Sequence, residues 1–218
     1  MNAIKQHVFL AGGTDYMGSR LIPRLLTRGH RVSALARPES QGRLPVGCDG
    51  ILGNALDAKS YSEFVRPATT FVQLVGVSHP SPAKASEFRK IDLVAGRAAV
   101  EAAVASGIQH LVYVSVAHPA PMMKAYIAVR EECEGLIRTS GLNATILRPW
   151  YVLGPGHRWP YALMPAYWVL ERLPWTREGA QRLGLVTLEQ MLQALVDAIE
   201  SPPGGVRVLG VPEIRGTA

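Results

Sequence analysis

The chain has 218 residues, 48% hydrophobic and 18% charged, with a net charge of +6 and two cysteines, which suits one α/β domain whose core needs no disulfide or structural metal. No apolar run approaches the roughly 18 residues of a membrane span. The basic residues are scattered singly, which argues against nucleic acid as a partner.

Cys48 and Cys133 stand too far apart for metal-ligand spacing, so packing roles in a reducing compartment are expected of both. The opening MNAIKQHVFLAGG holds no signal-type apolar region, and cytoplasmic residence is the expectation. A small-molecule partner carrying phosphate accounts for part of the positive charge, and assembly as a homo-oligomer is open.

Strand-like and helix-like runs alternate from the first residues, the pattern of βαβ units on a parallel sheet. His7–Ala11 predicts the first strand. Met17, Leu21, Ile22, Leu25 and Leu26 then recur at helical spacing, with Pro23 inside the helix and Gly29 as its C-terminal cap. A slight bend is expected at Pro23. Arg31–Ala36 and Asp49–Leu52 predict the next two strands, residues 57–65 a connecting helix, and residues 70–77 a fourth strand. A long alanine-rich helix is predicted from 85 to 106, where Ile91, Val94, Ala95, Ala98, Ala99, Ala102 and Ala103 form a stripe of small residues that permits close packing on a sheet. Further on, residues 111–116, 144–147 and 206–211 read as strands, and 122–140 and 187–199 as helices. After Pro149 come Trp159, Trp168 and Trp175 among many prolines, a composition that suggests a cap over a site.

The first strand leads through Gly12-Gly13-Thr14-Asp15-Tyr16-Met17-Gly18 into a helix. Strand, glycine turn and helix in that order are the context of a dinucleotide fingerprint: glycine permits the tight turn and the close approach of backbone to pyrophosphate, and the helix N-terminus offers free N–H groups. The expected architecture is a Rossmann-type doubly wound parallel sheet forming one domain, with a core over 1–152 and a C-terminal cap region over 153–218.

This turn resembles the GGTGYxG element of extended and atypical short-chain dehydrogenase/reductases. The similarity continues through RGHRVSALAR, GNALD, IDLVAGRAAVEAAVASGIQHLVYVSV and TILRPWYVLGPG, nearly the whole chain. The resemblance implies a nicotinamide dinucleotide held by Gly12, Thr14, Asp15, Tyr16, Met17 and Gly18. Asp15 stands where that family has its central glycine. Its carboxylate would repel a pyrophosphate, or alternatively cap the following helix. Arg37 ends the second strand, where such folds carry an acid for a ribose 2′-hydroxyl or a base for a 2′-phosphate. An arginine fork suits phosphate, so NADP(H) is expected over NAD(H); the alternative is an ordinary solvated arginine. Asn54 and Ala55 match the segment bordering the adenine. Leu74, Gly76 and Val77 match the strand end beneath the cofactor ribose, and Pro149, in the Arg148-Pro149 element, matches the point where the chain passes over the nicotinamide.

Catalysis in that family uses a tyrosine with a lysine four residues on and a serine or threonine that orients the substrate. Here the spacing survives as Tyr126 and Arg130, with Ser115 at the end of a strand and Ala117 where extended members carry a polar group. Residues four apart share a helix face, so Arg130 is expected beside Tyr126, either lowering its pKa or simply stacking on its ring. Tyr151, His157, Trp159 and Trp168 line the pocket or belong to core. His118 and His79 face the cleft or are solvated loop residues. Two functions follow: an NAD(P)(H)-dependent oxidoreductase or epimerase-like enzyme acting on a small carbonyl or alcohol, and a non-catalytic dinucleotide-binding sensor or assembly subunit. Peripheral membrane contact through Trp159 to Trp175 is a third.

Overall fold

The computed structural model describes residues 5–155 and 177–216. Among the described residues the strands are β1 (His7–Ala11), β2 (Arg31–Ala36), β3 (Asp49–Leu52), β4 (Thr70–Gln73), β5 (His110–Val114), β6 (Ala144–Leu147), β7 (Tyr151–Leu153), β8 (Leu185–Thr187) and β9 (Val206–Leu209). Seven form one sheet in the order β3-β2-β1-β4-β5-β6-β9, with every pairing parallel. Parallel neighbours need crossovers, and the crossover helices bury both faces. Val8, Leu10, Val72 and Val112 point to one face, against Leu21 and Leu25 of α1 (Gly18–Thr27) and Leu195 and Ile199 of the helix at Leu188–Glu200. Phe9, Phe71, Leu111 and Ile146 point to the other, against Ala98 and Ala102 of α4 (Val94–Ala105) and Ile137 of α5 (Lys124–Thr139). Strand residues alternate between the two cores because their side chains alternate faces. This is the doubly wound sheet expected from the sequence, with helices on both sides.

Caps explain several element ends. Gly29 adopts φ +85° after α1, its N–H donates to Leu26 O at 2.9 Å, and the His30 N–H reaches back to Leu25 O at 3.0 Å, closing the last turn as a left-handed cap does. Thr187 and Gln190 form a capping box at the start of the 188–200 helix.

Four departures from the sequence reading bear on the site. The fourth strand stops at Gln73 and the fifth at Val114: Leu74 and Ser115 each donate one more N–H to a neighbouring strand, to Ala11 O at 3.0 Å and Leu147 O at 2.7 Å, before the chain leaves the sheet. The connecting helix over 57–65 is a 3-10 turn (Ala58–Ser60) followed by α2 (Ser62–Val65), since the Asp57 side chain accepts the Lys59 N–H and satisfies backbone locally. The long helix is divided into α3 (Ala85–Glu87), a π-helical turn (Phe88–Leu93) and α4. A small second sheet pairs β7 with β8, strands of three residues each, too short to carry a periodic signal in the sequence.

The remaining helices are α6 (Arg177–Arg182), α7 (Leu188–Glu200) and α8 (Val211–Gly216). Among the described residues no helix is long and apolar enough to cross a membrane, and no group of His, Cys, Asp and Glu could hold a metal. His157, Trp159, Trp168 and Trp175 lie outside the described residues. Cys133 is buried and Cys48 partly so, with both thiols raised by burial and Cys48 pushed up to about 11.

Candidate functional site

Strand order reverses between β1 and β4, and at such a switch point the carboxyl ends of the strands leave a crevice where ligands sit. Gly12 forms one lip of it. Its φ is +93°, and a Cβ there would stand 3.2 Å from the Leu74 carbonyl carbon and the Val75 nitrogen, so a side chain would narrow the crevice and strain the turn. Gly18 opens α1, and a Cβ there would fall 2.1 Å from Gly12 O. Glycine is required at 18 for the helix to approach the turn. Met17 N-caps α1 without a side-chain hydrogen bond, so no cap side chain blocks the helix end.

Thr14, Tyr16 and Met17 are half-buried along the turn, and Asp15 is exposed. Asp15 contributes backbone: its N–H donates to Gly12 O at 3.3 Å and its carbonyl accepts the Ser19 N–H at 3.0 Å. The helix cap considered for its side chain is not formed. Arg20 holds Tyr16, with its guanidinium 4.4 Å from the ring centre and Nη1 donating to Tyr16 O at 2.7 Å. A Cβ on Gly154 would lie 2.2 Å from Tyr16 Oη, so the turn packs closely against the end of β7.

The residues expected to hold the adenosine half lie at the neighbouring strand ends. Arg37 follows β2, its side chain 67% exposed and 3.3 Å from Glu39. Asn54 follows β3. Its Oδ1 accepts the Leu56 N–H at 3.0 Å, leaving the NH₂ group as what it can offer a purine ring. Ala55 packs against the aromatic-side core beside it.

Across the crevice the chain turns from β4 through Leu74, Val75, Gly76 and Val77, all half-buried. Beneath them lies a charge pair. Arg130 Nη2 donates to Asp92 Oδ1 at 2.6 Å, with the two side chains 7% and 0% exposed. Asp92 Oδ2 accepts the Val77 N–H at 3.1 Å, and Arg130 Nη1 donates to Val114 O at 3.0 Å and Tyr113 Oη at 3.1 Å. Burial pushes the Asp92 carboxyl up while Arg130 and the Val77 N–H pull it back; beside a permanent guanidinium charge at this distance the pair is ionised. Tyr126 is half-buried at the start of α5, its ring 4.9 Å from Phe88 and its centre 5.0 Å from the Arg130 guanidinium carbon. Arg130 thus meets the face of Tyr126, and its hydrogen bonds go to Asp92, Tyr113 and Val114.

Ser115 is buried and its Oγ donates to Glu134 Oε1 at 2.7 Å. Glu134 also receives Arg148 through both Nε and Nη2, and lies 3.5 Å from His118 Nε2. Burial alone would raise the Glu134 carboxyl, yet the hydrogen bonds from Arg148 and Ser115 outweigh it and hold it low. His118 is not a solvated loop residue: its side chain is 13% exposed and its Nδ1 lies 3.1 Å from Glu131. Pro149 is buried, and its carbonyl accepts the Ala117 N–H at 2.9 Å. Tyr151 begins β7, while His79 is exposed with φ +51°.

Asp92 and Glu134 were absent from the sequence reading. A signal for them exists. Asp92 is a lone acid between Ile91 and Leu93, and Ile127, Arg130, Glu134 and Ile137 recur in helical phase, so their charges sit on the face that buries. A cavity of about 620 Å³ opens on the flank of α1, lined by Ser19, Arg20, Gly154, Thr187 and Leu192 among others; it contains none of the crevice residues.

Comparison with known proteins agrees with this geometry. The 3-diazoavenalumate denitrifying reductase of a Streptomyces species is 28% identical over 91% of this chain and 73% of its own length. The ceramide reductase of Caulobacter vibrioides is 24% identical over 95% of this chain, which spans only 63% of that protein. Among solved structures, the Bordetella bronchiseptica enzyme WbmH in complex with NAD+ superposes with a TM-score of 0.69 at 19% identity, covering 98% of this chain and 80% of WbmH. DesIV of Streptomyces venezuelae, a dTDP-glucose 4,6-dehydratase with NAD bound, gives 0.68 at 18% identity over 96% of this chain and 79% of its own. At those identities the likeness speaks to the fold. The family model described as NAD(P)H-binding matches residues 12–164, from the glycine turn through Tyr126, Arg130 and Pro149, and the chain belongs to that NAD(P)H-binding family.

Proposed function

We propose that this chain binds NADP(H) across the crevice between Gly12 and Gly76 and reduces a small carbonyl compound. The observation that carries the reading is the cradle at the switch point, where Gly12 lines the crevice without a side chain and Gly18 lets α1 approach the turn more closely than a Cβ would allow. In it the start of α1 receives the pyrophosphate, Arg37 the 2′-phosphate, Asn54 and Ala55 the adenine, and Leu74, Gly76, Val77 and Pro149 the nicotinamide half.

A bound dihydronicotinamide supplies hydride. The chain supplies orientation and a proton. Tyr126 is assigned the proton at its Oη, with its ring plane set by Phe88 and Arg130. Ser115, through Glu134, holds the end of β5 against Arg148 and so keeps the strand ends in register. Two relatives named as reductases support the redox reading. Calorimetric titration with NADPH, followed by NADPH oxidation against a panel of aldehydes and ketones, tests it; no heat of binding to NADPH or NADH overturns it.

A second reading has its own support. The Arg130 guanidinium is engaged by Asp92, Tyr113 and Val114, and Ala117 offers no polar group, an arrangement that suits a protein that binds the dinucleotide without turning it over. Binding without oxidation by any member of the panel selects this reading.

A further inference from the structure

A buried ion pair is a costly way to fill a core, because well-packed apolar residues of similar volume often serve stability as well or better. The Asp92–Arg130 pair therefore calls for an account beyond stability, and its partners supply one. Asp92 sits on the π-helical turn Phe88–Leu93, Arg130 on α5. From those two elements the pair bonds the Val77 N–H, just after β4, and Val114 O, the last residue of β5. It fills the space under Gly76 so completely that a Cβ there would lie 2.5 Å from Arg130 Nη2 and 2.8 Å from Asp92 Oδ1. The same guanidinium lies 5.0 Å from the centre of the Tyr126 ring, and Phe88, on the π-helical turn with Asp92, packs on that ring at 4.9 Å.

Two surfaces thus share one support. The Gly76–Val77 backbone rests on the pair, and so does the Tyr126 ring. We propose that Asp92 and Arg130 are positioning residues for the nicotinamide half of a bound dinucleotide: they fix the height of the Gly76–Val77 floor and the plane of Tyr126, while their own charges are spent on each other. This rests on the reading that a dinucleotide occupies the crevice. It separates the two halves of the ligand, because among the described residues no hydrogen bond or ion pair joins Arg37, Asn54 or the glycine turn to the pair.

The test uses whole dinucleotides, NADPH and NADH, beside fragments that lack the nicotinamide half, 2′,5′-ADP and ADP, titrated calorimetrically into the full chain. The variants are Asp92→Asn, Gly76→Ala and the double change Asp92→Leu with Arg130→Met, the last replacing the pair by apolar volume so that the fold survives without buried charge. Thermal unfolding reports the fold in each case. The expected result is a loss of tenfold or more for the preferred whole dinucleotide in every folded variant, with fragment affinity within twofold of the unmodified chain. A folded double variant that binds the whole dinucleotide as the unmodified chain does overturns the proposal, and so does a parallel loss of whole and fragment. If the unmodified chain binds neither fragments nor dinucleotides, the dinucleotide reading falls first and takes this one with it.

Discussion

The guanidinium carbon of Arg130 lies 5.0 Å from the centre of the Tyr126 ring, on its face, while its Nη atoms are bonded to Asp92, Tyr113 and Val114. The two side chains are neighbours because four residues make about one helical turn. A contact through the face holds the ring whether or not it carries a hydroxyl. Tyr126→Phe therefore keeps the packing on Phe88 and Arg130 and removes only Oη. In the reductase reading, turnover of an accepted carbonyl falls by about 10²- to 10⁴-fold, with dinucleotide affinity and melting temperature unchanged. Steady-state kinetics and calorimetry on the same preparation check it, and a Tyr126→Phe variant with full turnover removes Tyr126 from the chemistry.

Arg37 is two-thirds exposed and, among the described residues, its ion-pair partner is Glu39 at 3.3 Å, a pair near the surface that holds little of the fold. Its removal should be felt by ligand alone. Arg37→Ala is expected to weaken NADPH by about 1.5–3 kcal/mol, roughly ten- to a hundredfold, and to leave NADH untouched. Equal affinities of the unmodified chain for the two cofactors would assign Arg37 to solvent.

Asp15 is exposed, adopts no positive φ and caps nothing through its side chain. Its effect on an anionic ligand is then Coulombic. In a partly wet site a charge a few ångströms away is worth about 1–2 kcal/mol, so Asp15→Gly is expected to tighten dinucleotide binding by roughly five- to thirtyfold. The gain should shrink as salt is raised. Titrations at two ionic strengths measure both effects, and an unchanged affinity would show that the carboxylate points away from the phosphates.

The alternation of strands and helices was legible because both faces of a parallel sheet must be apolar, which makes β1, β2 and β6 predominantly apolar runs. The glycine turn was legible because its spacing reports backbone geometry directly. Element ends were harder. Residues 74–77 have strand composition, yet after Leu74 the chain leaves the sheet and the Val77 N–H turns to Asp92. Asp92, Glu134 and the roles of Ser115 and Arg130 depend on hydrogen-bond partners 14 to 38 residues away in sequence, the separations of Arg148 from Glu134 and of Arg130 from Asp92. A helical pattern can show that a charge is in phase with the core, but not which charge waits for it there.

His110 gives a pH-dependent stability. It is buried at the start of β5, its Nε2 is 3.0 Å from Thr145 Oγ1, and Arg207 Nη2 donates to the same hydroxyl at 3.2 Å. Burial first, and the Arg207 charge second, lower its pKa from 6.5 to about 4. The folded chain thus holds a neutral imidazole where the unfolded chain takes a proton. Above pH 6.5 neither state binds that proton and there is no effect. As pH falls from 6.5 to about 4 the unfolded state gains protons that the folded state does not, and stability drops by about 2–3 kcal/mol. His7, lowered chiefly by burial in the same direction, adds a smaller slope. Glu200 acts elsewhere: the hydrogen bond from Arg28 holds it at about 2, so its contribution is lost only between about 4.5 and 2. Urea unfolding at half-unit steps from pH 7.5 to 4.5 should therefore show the slope beginning near 6.5 in the unmodified chain. In His110→Gln, where an uncharged amide faces Thr145, most of that slope should vanish and leave the share due to His7. A variant with the full slope would place the titrating group outside the β5–β6–β9 network.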